Sequence, residues 1–366
     1  MSTRPTRRRI LAALLALPLV GGLAACGDDS EPAGGEASDA ATPPTEPVTL
    51  RLGYFPNITH APALVGVQEG LFEADLPERA SLETVTFNAG PEAVEALFAG
   101  DLDITYIGPN PAINAYAQSD GEAVRIIAGA TSGGAFLVVR DGIDTVEQLE
   151  GTTLATPQLG NTQDVALRSF LAEEGYETDT SGGGEVSITP LANADALTAF
   201  QAGQIDGAWV PEPFATRFQL EGGGHVLVDE ADLWQDLTGG DYVTTHVIVR
   251  TEFLEEHPDV VAGFLRGHIA AIQEIEDDPA AAAAAANAQI EALTSRPLSD
   301  EVLAGAFANL RFTFDPIAAS LVESAADAEA VGLLDPVDLE GIYELAPLNE
   351  LLEEAGIEPV AGITAT

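Results

Sequence analysis

The sequence predicts an α/β protein with two similar lobes around a cleft, and three observations lead to this fold class. Segments with the two-residue period of strands alternate with segments of helical period. Two stretches also repeat each other: Ala99–Ile107 and Ala202–Val210 both contain Ala-Gly, an aspartate and an aromatic residue, and a Pro-x-Pro follows each. Finally, 46% of the 366 residues are apolar, which is enough to bury a large core. In sheets of this kind, ligands bind beyond the carboxyl ends of the strands, so the two lobes are expected to share one cleft.

The first 47 residues predict an export signal and a tether. Residues 1–25 combine four arginines, an apolar run and small residues, as a secretory signal does. The motif Leu23-Ala-Ala-Cys26 resembles a bacterial lipobox, in which the cysteine carries lipid such as palmitate after processing. Residues 26–47 are rich in proline, glycine and acids, which predicts a flexible tether behind Cys26. Residues 6–11 also resemble a twin-arginine export motif, so the Sec and twin-arginine routes both stay open.

The lobes are predicted to be discontinuous in sequence. The first lobe is expected over residues 48–140, the second over 141–249, and the chain returns to the first lobe with C-terminal helices over 250–366. The connections between lobes are expected near Arg140 and Arg250, which are therefore the predicted hinges. The predicted strands are Val48–Tyr54, Leu82–Phe87, Asp103–Ile107, Val124–Ala130, Phe136–Arg140, Thr153–Thr156, Val186–Thr189, Ala208–Val210 and Tyr242–Arg250.

The composition excludes several classes of function. The chain has 14 arginines, no lysine and 59 Asp plus Glu, for a net charge of −45. Removal of residues 1–25 leaves 10 arginines and a charge of −49. Such a charge repels phosphate, so nucleic acids and anionic membrane surfaces are not expected partners. The lack of lysine excludes Schiff-base chemistry and a Walker A loop, and a single cysteine excludes a disulfide within the chain.

No motif predicts catalysis, a metal or a cofactor. The sequence contains no His-Glu-x-x-His, no Gly-x-Ser-x-Gly and no Gly-x-Gly-x-x-Gly after a strand. Carboxylates are so abundant that a pair of them close together in the sequence does not indicate a catalytic acid and base. We therefore expect a protein that binds a ligand and is not an enzyme.

Three loops at predicted strand ends indicate a site that binds an anion without a positively charged side chain. They are Asn57–His60, Thr131–Gly134 and Gly160–Gln163, and each combines small or amide side chains with a turn or helix start. Free backbone N–H groups at a helix start attract anions. Ordinary helix capping is the alternative for each loop.

For two aromatic residues and two histidines, the sequence permits either a role in the binding site or an ordinary structural role. Tyr106 and Trp209 occupy equivalent positions in the repeat, so they either line the cleft from opposite lobes or belong to the core. His60 and His246 lie near predicted strand ends and are either anion donors or ordinary hydrogen-bonded residues.

The chain also resembles the solute-binding lipoproteins of ABC importers for aliphatic sulfonates, nitrate and taurine. The segments that carry the resemblance are Arg51–Pro62, Asn88–Glu95, Gly108–Ala112, Leu159–Ala166, Ile205–Pro213, Thr244–Val249 and Phe253–Val261. The resemblance implies a type II periplasmic-binding-protein fold with parallel-rich sheets and a ligand cleft between the lobes. It implies a ligand site formed by Asn57, Thr59, His60, Gly90, Pro109, Asn110, Ser132, Gly133, Asn161, Thr162, Gln163, Trp209, Glu212 and Thr245.

The same resemblance implies the partners and the location. The ligand is expected to be a small anionic solute, with an aliphatic sulfonate as first candidate and nitrate, taurine or a thiamine-precursor pyrimidine as alternatives. Delivery to an ABC permease and its ATPase is expected, from a monomer held at the outer face of the bacterial cell membrane by its lipid alone. Pyrimidine-precursor synthases resemble the same fold family and are the alternative from another class, but they depend on cysteines that this chain lacks.

Overall fold

The computed structural model describes residues 46–363, and both lobes belong to one compact unit. The predicted signal, the lipobox with Cys26 and the tether up to residue 45 lie outside the described residues. The strands are β1 (Val48–Tyr54), β2 (Ala80–Thr86), β3 (Ile104–Ile107), β4 (Val124–Gly133), β5 (Ala135–Val139), β6 (Thr153–Thr156), β7 (Ser187–Pro190), β8 (Gly207–Pro211), β9 (His225–Asp229), β10 (Val243–Arg250) and β11 (Leu310–Phe312).

These strands form two sheets, one in each lobe. Lobe 1 contains the sheet β11-β4-β10-β3-β1-β2, and lobe 2 contains the sheet β7-β6-β8-β5-β9. Three neighbouring strands are parallel in each sheet, β2-β1-β3 and β7-β6-β8. The remaining pairs are antiparallel, so both sheets are mixed.

The chain changes sheet earlier than the sequence predicts. The first change lies at Gly134, between β4 and β5, and the second lies between β9 and β10. Gly133 and Gly134 both have positive φ, a conformation that glycine adopts without a steric penalty. Only Gly134 separates β4 from β5, so the sequence assigned both strands to lobe 1 and placed the first boundary near residue 140. At the second change α8 and α9 separate β9 from β10, and the sequence assigned β10 to lobe 2 up to residue 249. By sheet membership, β5 belongs to lobe 2 and β10 to lobe 1.

The predicted repeat is present as a shared hydrogen-bond pattern. The Asp103 backbone N–H donates to the Arg51 carbonyl, and the Asp103 carboxylate accepts the Arg51 backbone N–H at 2.9 Å. Asp206 has the same relationship to Thr153, with a carboxylate contact of 2.8 Å. Both sheets also have the same strand order when β4, β10, β3, β1 and β2 are matched to β9, β5, β8, β6 and β7. The two lobes therefore follow one plan.

Helices cover both faces of both sheets. They are α1 (Ala61–Gln68), α2 (Leu71–Asp75), α3 (Gly90–Phe98), α4 (Pro109–Gln118), α5 (Thr162–Glu173), α6 (Asn193–Gln201), α7 (Phe214–Leu220), α8 (Glu230–Leu233), α9 (Gln235–Thr238), α10 (Thr251–Glu256), α11 (Pro258–Asp277), α12 (Pro279–Thr294), α13 (Asp300–Ala308), α14 (Ala318–Ala330) and α15 (Ala346–Glu354). In lobe 1, α1, α2, α11, α12 and α15 pack on one face and α3, α4 and α14 on the other. In lobe 2, α5 and α8 face α6 and α7 across the sheet.

Elements after β10 contact both lobes and connect them. Helix α14 packs on α4 of lobe 1 and on α5 and α9 of lobe 2, and Ser169 Oγ donates a 2.8 Å hydrogen bond to Asp327. Asn309 Nδ2 donates a 2.7 Å hydrogen bond to the Glu212 carboxylate of lobe 2. These contacts define the side on which the lobes are connected. Within residues 46–363, no helix has both the length and the apolar character that a membrane crossing requires.

Candidate ligand-binding site

The two lobes enclose a small cavity at the carboxyl ends of their parallel strands, which we call the inner chamber. Its volume is about 30 Å³. Residues from both lobes form its wall: Phe55, Asn57, Thr59, His60, Asn88, Gly108, Asn161, Thr162, Gln163, Asn193, Pro211, Thr244 and Thr245. None of these thirteen described residues is an aspartate, glutamate, lysine or arginine. The inner chamber is therefore polar and carries no formal charge as long as His60 is neutral.

Helices begin at the inner chamber without side-chain caps. Helices α4, α5 and α6 and a short 3-10 helix at Ile58–His60 start beside it, and none has a side-chain hydrogen bond from its N-cap residue. Uncapped starts also occur away from the chamber, at α10 and α11 for example, whereas α8, α12 and α13 are capped by Asp229, Asp278 and Ser299. In α5 and α6 the third N–H groups, of Asp164 and Asp195, donate to the carbonyls of the N-cap residues. The N–H groups of Thr162, Gln163 and Asn193 have no intrahelical acceptor and no cap, so they are available to a ligand. Ordinary capping, the alternative for the loops at Asn57 and Asn161, does not occur.

Four buried polar atoms of the inner chamber lack a hydrogen-bond partner within the described residues. They are Asn57 Oδ1 and Thr245 Oγ1 from lobe 1 and Thr162 Oγ1 and Asn193 Oδ1 from lobe 2. A buried polar atom without a partner costs about 1–3 kcal/mol. Threonine hydroxyls and asparagine amides both donate and accept, so a polar ligand in this chamber would relieve these costs from both lobes at once.

His60 contributes a neutral donor to the inner chamber. Its ring stacks on Phe55 with centroids 4.3 Å apart, and the Phe55 backbone N–H donates to Nδ1 over 3.4 Å. Burial lowers the pKa of His60 to about 3, so the ring is neutral at physiological pH. Because Nδ1 accepts, the single ring proton of the neutral tautomer lies on Nε2. His60 can thus donate a hydrogen bond without adding charge.

A much larger cavity between the lobes adjoins the inner chamber, and we call it the outer cleft. The outer cleft has a volume of about 730 Å³ and shares Phe55, Asn57, Asn88 and Asn193 with the chamber. Its other lining residues include aromatic and aliphatic side chains and charges of both signs: Phe87, Phe214, Ile290, Leu298, Asp195, Glu221, Arg217 and Arg296. A ligand headed by a small polar group can therefore extend an apolar or charged remainder into the outer cleft.

Half of the residues implied by the resemblance lie on the chamber wall. These seven are Asn57, Thr59, His60, Asn161, Thr162, Gln163 and Thr245. They belong to the two loops that follow β1 and β6 and to β10. The loops hold equivalent positions in the two lobes, which is why their side chains converge from opposite sides.

Six other implied residues support the wall from behind. Asn110 Nδ2 donates to the Ser324 carbonyl at 2.9 Å, and Pro109 forms the first turn of α4. Gly90 lies so close to Pro111 that a Cβ would overlap the proline ring. Ser132 Oγ accepts from the Tyr242 N–H, and the Gly133 carbonyl accepts from Thr244 Oγ1. The sixth, Glu212, is buried and accepts hydrogen bonds from Thr216 and Asn309, and burial raises its pKa.

Trp209 does not line the cleft, which corrects the expectation from the sequence. Its side chain is fully buried in lobe 2, 5.6 Å from Phe170 between ring centroids, and its Nε1 donates to Glu230 at 2.7 Å. A strand side chain points to a sheet face, and this face is covered by α5 and α8. Pro211, at the end of the same strand, reaches the chamber instead.

Tyr106 and His246 are also core residues. Tyr106 is fully buried and its hydroxyl lies 2.7 Å from His268 Nδ1. His246 is fully buried, and burial lowers its pKa to about 3, so it is neutral. Neither residue lines the inner chamber.

Six wall residues were absent from the sequence-based set: Phe55, Asn88, Gly108, Asn193, Pro211 and Thr244. The repeat contained a signal for two of them. Asn88 follows β2 and precedes α3, and Asn193 follows β7 at the start of α6, so the lobes present an asparagine at matching places. Within the described residues, no group of three His, Cys, Asp or Glu side chains is arranged to hold a metal ion.

Comparison with known proteins yields a consistent set of relatives. The model of a family described as the NMT1-like family matches residues 43–290. The taurine-binding periplasmic protein of Escherichia coli strain K12 is 30% identical over 218 residues, which is 60% of this chain and 64% of that protein. A putative aliphatic sulfonates-binding protein of Bacillus subtilis strain 168 is 28% identical over 59% of this chain and 62% of that protein. The alignments thus span less than two thirds of the length of these curated relatives.

Solved structures share the fold. The alkanesulfonate-binding protein SsuA from Xanthomonas axonopodis pv. citri, bound to MOPS, aligns with a TM-score of 0.67 at 23% identity, over 83% of this chain and 100% of that one. The periplasmic nitrate-binding protein NrtA from Synechocystis PCC 6803 aligns with a TM-score of 0.67 at 14% identity, over 84% and 89%. The predicted two-lobed periplasmic-binding-protein fold is confirmed, and the predicted resemblance to sulfonate, taurine and nitrate binders is confirmed as well.

Proposed function

The chain belongs to the NMT1-like family, and we propose that it is the extracytoplasmic solute-binding protein of an ABC importer. Its solute would be a small organic anion, with an aliphatic sulfonate as first candidate. The proposed activity is binding and delivery without catalysis, in keeping with the binding proteins to which the chain is similar.

The observation that carries the proposal is the inner chamber itself. It joins uncapped helix starts, neutral donors and unpartnered buried polar atoms from two lobes, without a formal charge. An anion can be held there by N–H and O–H dipoles alone, since the positive ends of the helices favour negative charge. A cation would find no carboxylate in the chamber wall.

The size of the two cavities favours an anionic head with an organic remainder. A volume of 30 Å³ suits one small group such as a sulfonate head, and the outer cleft of 730 Å³ accommodates what is attached to it. Nitrate would occupy only the inner chamber and leave the outer cleft to water. The chamber therefore supports an aliphatic sulfonate more strongly than nitrate.

Taurine is the second candidate, because the outer cleft contains acidic side chains. Asp195 and Glu221 both line it, and the ammonium group of taurine needs an anionic or hydrogen-bonding partner when its sulfonate is in the inner chamber. Glu221 is already paired with Arg217, which leaves Asp195 as the proposed partner of an ammonium group.

Ligand binding would favour the state in which both lobes contact the ligand. Contacts from Asn57 and Thr245 on one side and Thr162 and Asn193 on the other are complete only when the lobes are together, so the ligand shifts the population toward that state. We propose that the lobes rotate about the two sheet changes, at Gly134 and between β9 and β10.

The remaining assignments concern the whole exported protein. We propose that residues 1–25 are removed, that Cys26 carries lipid including palmitate, and that residues 26–47 tether a monomer at the outer face of the cell membrane. The loaded protein would then meet an ABC permease and its ATPase. The Leu23-Ala-Ala-Cys26 motif supports the anchor, and the relatives named as periplasmic support the location.

The test is a ligand panel on the purified processed protein. Ligand that binds only the folded state raises the unfolding temperature as its concentration rises above Kd. We expect alkanesulfonates to raise it and acetate to leave it unchanged. The same panel includes taurine, nitrate and thiamine-precursor pyrimidines. If no sulfonate shifts the unfolding temperature, the proposed solute is wrong.

A further inference from the structure

Arginine is scarce in this chain, and most described arginines are already engaged. Ten arginines lie in residues 46–363, and seven of them contact a carboxylate: Arg51, Arg79, Arg140, Arg168, Arg217, Arg250 and Arg311. Arg125 donates to the carbonyls of Gly121 and Val124. Arg266 and Arg296 have no ion pair with any residue that the structure describes. Arg266 and Arg296 are thus the two described arginines that contact neither a carboxylate nor, as Arg125 does, backbone carbonyls.

Of these two, Arg296 lines the outer cleft and Arg266 does not. Arg296 lies in the loop between α12 and α13, and hydrogen bonds fix the course of this loop. Thr294 Oγ1 donates to the Arg296 carbonyl at 3.0 Å and accepts from the Arg296 N–H at 3.2 Å. The Asn287 side chain accepts from the Leu298 backbone N–H at 2.7 Å and donates to the Leu298 carbonyl at 3.0 Å. A fixed loop thus holds an unpaired cation at the wall of the cleft.

We propose that Arg296 binds a second anionic group on the solute, so that the preferred ligands are sulfonates that also carry a carboxylate or a second sulfonate. The inference rests on the proposed function, because the first anionic group is placed in the inner chamber. The walls of the two cavities share Phe55, Asn57, Asn88 and Asn193, so the cavities adjoin and the proposal places one molecule across both. The planar guanidinium matches carboxylate and sulfonate oxygens with two parallel N–H donors.

No other charged side chain that lines the outer cleft is as suitable as Arg296 for binding a second anionic group. Arg217 already donates to both carboxylate oxygens of Glu221, at 2.9 and 3.0 Å, and its guanidinium lies over the Phe214 ring. Asp195 lies in the first turn of α6, where the helix dipole favours its negative charge. A competing role for Arg296 is a latch that pairs with Asp195 when the lobes close. A latch would strengthen binding of every ligand alike, whereas a second anion site strengthens only dianions.

The experiment compares matched ligands by isothermal titration calorimetry at 150 mM salt. Sulfoacetate, 3-sulfopropanoate and 4-sulfobutanoate are each measured against the alkanesulfonate with the same number of carbon atoms. The proteins are the wild type, Arg296→Gln, Arg296→Lys and, as the control with the same change of charge, Arg266→Gln. We expect at least one dianion to bind the wild type about fivefold or more tightly than its matched monoanion. This advantage should vanish in Arg296→Gln, persist largely in Arg296→Lys and be unchanged in Arg266→Gln.

Three results would overturn the inference. The first is a wild type with no preference for any dianion over its monoanion, and the second is a preference that survives in Arg296→Gln. Equal loss of affinity for monoanions and dianions in Arg296→Gln would identify the latch instead. If no sulfonate of either kind binds the wild type, the proposed function fails and not merely this inference.

Discussion

Gly108 of lobe 1 lies directly against Thr162 of lobe 2, so closely that a Cβ at position 108 would overlap Thr162 Oγ1. Both residues line the inner chamber, and both lie at the start of a helix, α4 in one lobe and α5 in the other. Gly108 has φ −73° and ψ 163°, which any residue adopts without strain. The glycine is therefore required by the neighbouring lobe and not by its own backbone.

Replacement of Gly108 by alanine should weaken ligand binding without unfolding the protein. The added methyl group overlaps Thr162 only when the lobes are together, so the state that binds ligand becomes less favourable. We expect Kd for ethanesulfonate to rise about tenfold or more, which corresponds to about 1.4 kcal/mol. The unfolding temperature of the free protein is measured beside it and should change little.

A double-mutant cycle with Thr162→Ala separates this steric effect from other causes. If overlap with the Thr162 side chain is responsible, Gly108→Ala should cost much less affinity in the Thr162→Ala background. An equal cost in both backgrounds would show that the contact between the lobes is not the reason.

Ligand affinity should not depend on pH between about 5 and 8. Burial lowers the pKa of His60 to about 3, and the inner chamber contains no other titratable side chain among its described residues. A permanently charged alkanesulfonate then meets the same neutral donors throughout this range. The measurement is Kd for ethanesulfonate from pH 5 to pH 8 at constant ionic strength. Affinity that increases as pH falls through about 6.5 would mean that an imidazolium binds the anion.

The position of the site was predictable because the lobes repeat each other. The matched motifs around Asp103 and Asp206 indicate two equivalent strands, and parallel strands place their following loops at one edge. Loops after β1 and β6 were therefore expected to meet, and Asn57 and Thr162 do lie on one chamber wall. The surroundings of a strand side chain are less predictable. The two-residue period shows that neighbouring side chains point to opposite faces of the sheet, but it does not show which helices cover each face. Trp209 illustrates this limit, as both faces of its sheet are covered.

The two aspartates of the repeat should differ in their contribution to stability. The Asp103 side chain is fully buried and accepts from Arg51 and Arg250, at 2.7 to 3.0 Å, whereas the Asp206 side chain is 32% exposed. Removal of one partner from a buried ion pair typically costs about 3–5 kcal/mol, and a solvated pair contributes up to about 1 kcal/mol. We therefore expect Asp103→Asn to destabilise the protein by several kcal/mol and Asp206→Asn by about 1 kcal/mol. Urea unfolding of both variants tests this, and equal losses would contradict it.

Glu230 should make the protein less stable above neutral pH. Its carboxyl group is buried beside Trp209, and burial raises its pKa to about 7 from an ordinary value of 4.5. The folded state therefore holds the proton more tightly than the unfolded state, and the free energy of unfolding falls as pH rises from about 4.5 to about 7. Glu230→Gln retains an acceptor for the Trp209 N–H and removes the charge. We expect the variant to exceed the wild type by up to ~3 kcal/mol at pH 8 and by little at pH 5.

The exposed substitution Glu301→Gln is the control for the loss of one negative charge. Because each variant is compared with the wild type at the same pH, contributions from the buried histidines largely cancel. A difference between Glu230→Gln and the wild type that is the same at pH 5 and pH 8 would show that burial does not perturb this carboxyl group.

The unpartnered hydroxyl of Thr245 tests the central claim, that buried polar atoms without partners in the inner chamber bind the ligand. Thr245→Val preserves the shape of the side chain and removes only the hydrogen-bonding atom. Since this hydroxyl has no partner among the described residues, its loss should leave the free protein as stable as the wild type or more stable. A lost hydrogen bond to an anion should cost about 1.5–3 kcal/mol of binding free energy, which is about ten- to a hundredfold in Kd. The decisive measurement is Kd for ethanesulfonate in wild type and Thr245→Val: the predicted result is this loss of affinity at undiminished stability, and an unchanged Kd would contradict the assignment of the site.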